Sequence, residues 1–177
     1  MMTTTINRLE SRLGGVSVDG RPHQLSVWAI FGLRLVMGWV MLSAGFGKLT
    51  EGFSAYGYLA NVDPASPASG LYGTMAESAA LMGAIDVIVP VTQVLIGLAL
   101  LAGVFVRLAA LGAATQMVLF YFGSWDVAGG LVNSQFVYAV VFLALGALAA
   151  GRILGVDRYL EDRPIVERYP KLRYLLG

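Results

Sequence analysis

Apolar residues run along this chain in four long blocks, about Val27 to Leu49, Leu81 to Gly103, Val106 to Phe122 and Phe136 to Gly151, each closed by turn residues or charges. A hydrocarbon layer of about 30 Å takes roughly 17–25 helical residues, so the first two blocks are comfortable spans and the last two are short. The fourth is expected to borrow Leu131 to Gln135. Only Gly103 breaks the second block from the third, and one helix over both would be too long for a single crossing. A tight helical hairpin with Arg107 at its base is predicted instead. Between the first two blocks, Thr50 to Ala80 carries Phe53, Tyr56, Tyr58, Leu59, Leu71 and Tyr72 around the turn Asp63 to Pro67. Two short interfacial helices capping the bundle are expected there; an aromatic belt anchoring the outer surface is the simpler alternative.

Composition sharpens the choice of solvent. Of 177 residues, 57% are apolar or aromatic before 22 glycines are counted, and 13% are charged. Soluble domains hold about 25% charged residues, so a water-solvated globule is excluded. With no cysteine, thiolate nucleophiles, iron–sulfur clusters, disulfides and CxxC exchange are excluded too. One histidine, His23, cannot build a zinc or haem site, and neither metal nor haem is expected in this chain. A net charge of +1 offers no field for nucleic acid.

The placement of charge is more informative than its sum. Arg8, Arg12 and Arg21 precede the first span, Arg107 sits at the second turn, and Arg152, Arg158, Arg163, Arg168, Lys171 and Arg173 follow the fourth. With four spans these share one side, which the positive-inside rule makes cytoplasmic, with both termini, in a plasma-membrane protein. The predicted fold is all-α: a polytopic membrane four-helix bundle with interfacial helices in the first outer loop and at the termini. Residues 1–25 form the cytoplasmic interfacial segment, 26–151 the bundle with its outer loop at 50–80, and 152–177 a basic tail suited to anionic lipid. Ile6, Leu9, Leu13 and Val16 make a helical stripe in the first segment, although a frayed terminus serves equally.

Polar side chains inside spans are costly and mark packing networks or function. Arg34, Gly38, Met41, Gly45 and Lys48 share one face of the first span, and Asp86, Pro90, Gln93 and Gly97 one face of the second. Counted from Val27, Gly103 and Arg107 at about 1.5 Å per residue, Arg34, Gln93 and Gln116 lie roughly 10, 15 and 14 Å deep. Lys48, Asp86 and Tyr121 by the same count, and Tyr138 counted from Arg152, lie toward the outer leaflet at roughly 21–32 Å. An inner layer of Arg34, Gln93 and Gln116 and an outer layer of the other four are expected to face the bundle interior. No intramembrane carboxylate stands beside Arg34 in this count, which leaves room for an anionic or carbonyl ligand. The same groups also suit mutual hydrogen bonding that holds the helices in register. Catalytic residues are not assigned.

Arg34, Leu35, Gly38, Gly45, Lys48 and Leu49, then Gln93, Gly97, Leu98, Leu100 and Arg107 to Ala110, resemble the DoxX family of four-helix membrane proteins. Phe120, Tyr121, Trp125, Asp126, Val127 and Asn133, followed by Gly151, Arg152, Leu154, Gly155 and Asp157, are similar to its DoxD-like branch. Many relatives carry glutamate where this chain has Gln93, which here can hydrogen-bond but cannot pair Arg34 as an ion. The resemblance implies a quinone-interacting subunit of a thiosulfate:quinone-type oxidoreductase, working in the lipid bilayer with a partner subunit or as a homo-oligomer. In that reading Arg34, Gln93 and Gln116 face quinone, while Lys48, helped by Asn133, attracts thiosulfate. A non-enzymatic membrane scaffold or assembly factor is the alternative; a carrier is disfavoured because no repeat is visible.

Overall fold

The computed structural model describes residues 11–13, 16–18, 24–126 and 131–177. The apolar blocks become α1 (Gln24–Glu51), α4 (Ala79–Ala102), α5 (Val106–Gly123) and α6 (Ser134–Ala147). The first three are long and apolar enough to cross a membrane. Helix α6 has 14 residues, about 21 Å at 1.5 Å each, and falls short of the hydrocarbon thickness. It starts at Ser134, capped by Asn133 Oδ1 accepting from Phe136 N at 3.0 Å, so Leu131 is not part of the span.

Helix α1 packs along α4 and α5 along α6, and the two pairs meet chiefly through α4 and α5. Glycines set the first approach. A Cβ at Gly97 would lie 2.5 Å from the backbone nitrogen of Leu42, and one at Gly45 would lie 2.7 Å from that of Val94. Small residues let helices dock where lipid gives no hydrophobic drive for association. Inside sit Met37, Met41, Leu100, Val106, Ala113, Met117, Phe142 and Leu145. Outside, Trp28, Trp39, Val87, Leu95, Leu111 and Leu143 are exposed, an arrangement that suits hydrocarbon surroundings.

The outer loop folds as expected into two short helices, α2 (Tyr56–Ala60) and α3 (Ser69–Glu77). Ala55, Leu59, Tyr72 and Met82 form their core, with Phe53 and Phe122 packed against it. Three hydroxyls pin this cap to the end of α5: Tyr72 donates to Leu119 O at 2.7 Å, Tyr58 to Phe120 O at 2.5 Å and Ser66 to Phe122 O at 2.7 Å. Phe122 O is one of the carbonyls a helix end leaves without an intrahelical donor, whereas Phe120 O already accepts from Ser124 N and gains a second bond from the phenol.

After α6 come a 3-10 turn (Ala150–Arg152), α7 (Asp157–Glu161), α8 (Pro164–Arg168) and a second 3-10 turn (Pro170–Tyr174), short helical pieces as expected of the tail. The N-terminal helical stripe is corrected. Leu13 and Val16 belong to strands β1 (Ser11–Leu13) and β2 (Val16–Val18), paired antiparallel with Leu13 opposite Val16. The sequence between them is Gly14-Gly15, a pair that costs a helix about 2 kcal/mol and is typical of hairpin turns. Ile6, Leu9, Arg8, Arg21 and His23 lie outside the described residues.

Candidate functional site

Arg34 is fully buried, and backbone carbonyls take up both Nη groups of its guanidinium while Nε has no partner. Nη1 donates to Ala150 O at 2.6 Å and Ile153 O at 2.8 Å, and Nη2 to Leu154 O at 3.4 Å. The reason is the shortness of α6. The chain leaves that helix early through Ala149 and Leu154, both with positive φ (52° and 49°), and presents broken backbone at the end of the bundle. Carbonyls freed inside a membrane protein need donors, and a guanidinium supplies several in one rigid fork. Gly103, a left-handed helix cap, lies against it: a Cβ there would meet Arg34 Nη1 at 2.9 Å.

Asp157 completes this hub and was not singled out from the sequence as a site residue. Fully buried, it accepts from Phe105 N at 2.7 Å, Val106 N at 2.9 Å and Gly177 N at 3.0 Å. Two of these donors belong to the start of α5, so the carboxyl caps that helix from a distant segment. Burial pushes its pKa above the ordinary 3.8, against the three N–H donors that pull it down. Asp157 also acts electrostatically on Arg34. The expectation of an arginine without a counter-charge is therefore corrected: the carboxylate comes from the tail, which a count confined to the spans omits. An Asp that follows Gly151 and Gly155 just after an apolar block is the signal that could have found it.

The expected inner layer divides into two levels. Gly45 sits against Gln93, where a Cβ would come within 2.8 Å of that side chain. Gln93 therefore lies roughly 16 Å along α1 from Arg34. Counting from Val27 placed Arg34 too deep, because the start of α1 extends past the α4–α5 turn and Arg34, not Val27, stands level with Gly103. Gln116 does share the height of Gln93, since its Nε2 donates to the hydroxyl of the adjacent Thr92. That hydroxyl gives its proton to Ile88 O at 2.6 Å or Val89 O at 3.0 Å, which fixes the amide orientation. Gln93 faces α1 and Gln116 bridges α4 and α5. Both Oε1 atoms are buried without a donor.

The outer layer is dispersed. Asp86 Oδ1 accepts from Ala55 N at 2.6 Å and anchors the cap. Lys48 Nζ donates to Ala44 O at 3.3 Å and stands 5.7 Å from the Phe53 ring centre. Tyr121 donates to Leu131 O at 2.9 Å within a cluster of Phe122, Trp125 and Phe136. Tyr138 is exposed. Asn133 caps α6, and its Nδ2 reaches Ser124 O at 3.5 Å. Among the described residues no group of three or more His, Asp or Glu is placed to hold a metal ion.

Fold and site together define a polytopic membrane protein, a small helical bundle stitched at one end by a buried arginine and at the other by a hydroxyl-pinned cap. The chain matches the DoxX family over residues 29–124 and belongs to it. The match runs from within α1 to the end of α5 and so includes Arg34, Gln93 and Gln116, while Asp157 lies beyond. No solved structure matches the chain.

Proposed function

We propose that this DoxX protein is a quinone-interacting membrane subunit of the DoxD-like kind, and that the level of Gln93 and Gln116 is where the ligand binds. One observation carries the reading: two buried amide oxygens at one height in the bundle lack donors. A buried acceptor left unpaired costs about 1–3 kcal/mol, which a ligand bringing O–H groups offsets. The two hydroxyls of a quinol match that need. Arg34 has no part in this contact because it lies at the other level, where Ala150, Ile153 and Leu154 occupy its Nη groups and only its Nε is left without a partner. In this reading a partner subunit delivers two electrons, and with two protons from water the quinone becomes the quinol whose hydroxyls the amide oxygens accept. Thiosulfate is the donor the DoxD-like assignment implies, with Lys48 the cation that attracts it. Quinone extracted from purified protein tests the reading. Wild type is expected to hold near-stoichiometric quinone, and Gln93→Leu with Gln116→Leu to lose at least about tenfold in occupancy. Quinone-free wild type, or full retention in the double variant, refutes it.

A second reading, a non-enzymatic scaffold, draws on the Arg34 and Asp157 hub, where the most polar groups of the bundle serve architecture. It predicts a protein that co-purifies stoichiometrically in the absence of quinone.

A further inference from the structure

The tail is a built platform. Asp157 fixes it to the start of α5, Leu175 O accepts from Leu108 N at 3.3 Å, and Arg173 O accepts from Arg107 Nη1 at 3.3 Å. Val166 and Leu176 are buried at 2% and 1% exposure. Arg158, Arg163, Arg168, Lys171 and Arg173 are exposed. The one ion pair seen among the described residues, Arg152 with Glu161 at 2.9 Å, uses none of them. Asp162 is exposed beside them and Glu167 adds a second carboxylate to the segment, so cations dominate five to two. Tyr159, Tyr169 and Tyr174 stand among them, exposed by 70%, 55% and 78%, with Leu154 and Phe105 exposed at the adjoining end of the bundle.

We propose that this platform binds anionic phospholipid headgroups of the leaflet beside it. Its attachment to the α4–α5 turn holds the cations at a span end, where headgroup phosphates lie and the attraction is not lost to screening. Guanidinium forks match phosphodiester oxygens in geometry. Exposed tyrosines favour the same layer, with apolar ring and polar tip on either side of the boundary. That aromatic content and the adjoining hydrocarbon select lipid over an acidic soluble partner.

The full chain reconstituted in an equimolar mixture of phosphatidylcholine and phosphatidylglycerol, then extracted in mild detergent, provides the test by counting retained lipids. Wild type is expected to enrich phosphatidylglycerol about threefold over the bulk ratio, less so in high salt. Arg163→Gln, Arg168→Gln, Lys171→Gln and Arg173→Gln combined should return to the bulk ratio with an unchanged unfolding temperature. Should that variant unfold, Arg163→Gln with Lys171→Gln is the second variant, and it should lose about half of the enrichment. Wild type at the bulk ratio, or enrichment untouched by either folded variant, overturns the proposal. Complete displacement of phosphatidylglycerol by millimolar inorganic phosphate also overturns it, since the surface would then be a site for free anion. None of these readouts depends on quinone.

Discussion

Adding one methyl group at Gly97 drives a Cβ to 2.5 Å from the Leu42 backbone nitrogen, an atom no rotamer change can move aside. Gly97→Ala is therefore expected to lower stability by about 1–3 kcal/mol through forced separation of α1 and α4. Gly83→Ala is the control: nothing lies within 4 Å of its added carbon, and the helix gains up to about 1 kcal/mol. Thermal unfolding in detergent should rank the three proteins Gly83→Ala, wild type, Gly97→Ala. Arg34 is the stronger test of the hub. Arg34→Met removes the side-chain donor of three carbonyls, of which Ala150 O keeps only its bond from Ile153 N, and leaves Asp157 without its neighbouring cation, a loss of about 3 kcal/mol or more. Arg34→Lys should recover part of this, because an ammonium reaches fewer divergent acceptors than a planar fork. Equal stability of the Met variant and wild type would remove the hub from the account. That Arg34 matters was legible from its place in an apolar block. Its height and its partner were not, since both depend on where α6 stops, and Ala149 and Leu154 adopt left-handed backbone without the glycine that would announce it.

At the level of elements, α5 explains much of the architecture. Its 18 residues make about 27 Å, so both ends fall near the hydrocarbon boundary. Asp157 serves its first N–H groups, and Tyr58, Ser66 and Tyr72 serve its last carbonyls. The two phenols lie in the outer cap, beyond the spans, and burial raises both above the ordinary 10.0, with Tyr58 adding to the shift of Tyr72. The folded state thus keeps these protons when the unfolded chain has lost them. Their contribution is fully present below pH about 10 and is lost as pH rises through the shifted values. Phenolate absorbance should show two tyrosines titrating late, and cap docking should weaken over the same range. Tyr58→Phe with Tyr72→Phe should abolish the delay and cost about 1 kcal/mol per lost bond at neutral pH. If all tyrosines ionise together, the cap does not seal α5 as described. The aromatic richness of residues 50–80 indicated such a cap, whereas its attachment to carbonyls of α5 required the tertiary register.

For the whole molecule, the antiparallel order of α1, α4, α5 and α6 returns the tail to the end where Arg34 sits, and leaves α2 and α3 at the other. The helices long enough to cross a membrane, α1, α4 and α5, were legible because apolar blocks of that length have few other uses, and so was the bias of cations toward one end; that α6 stops short was not. By the positive-inside rule that bias predicts sidedness in the cell, a cytoplasmic platform and an outward cap. The absence of native cysteine makes it directly measurable. Ser69→Cys places a thiol on the cap and Tyr174→Cys one on the basic platform, where the native tyrosine is 78% exposed. An impermeant maleimide applied to intact cells should label the first and spare the second until the membrane is opened. The reverse pattern would put the cationic platform outside, away from the anionic leaflet its charge suits, and would require Lys48 and the cap to face the cytoplasm.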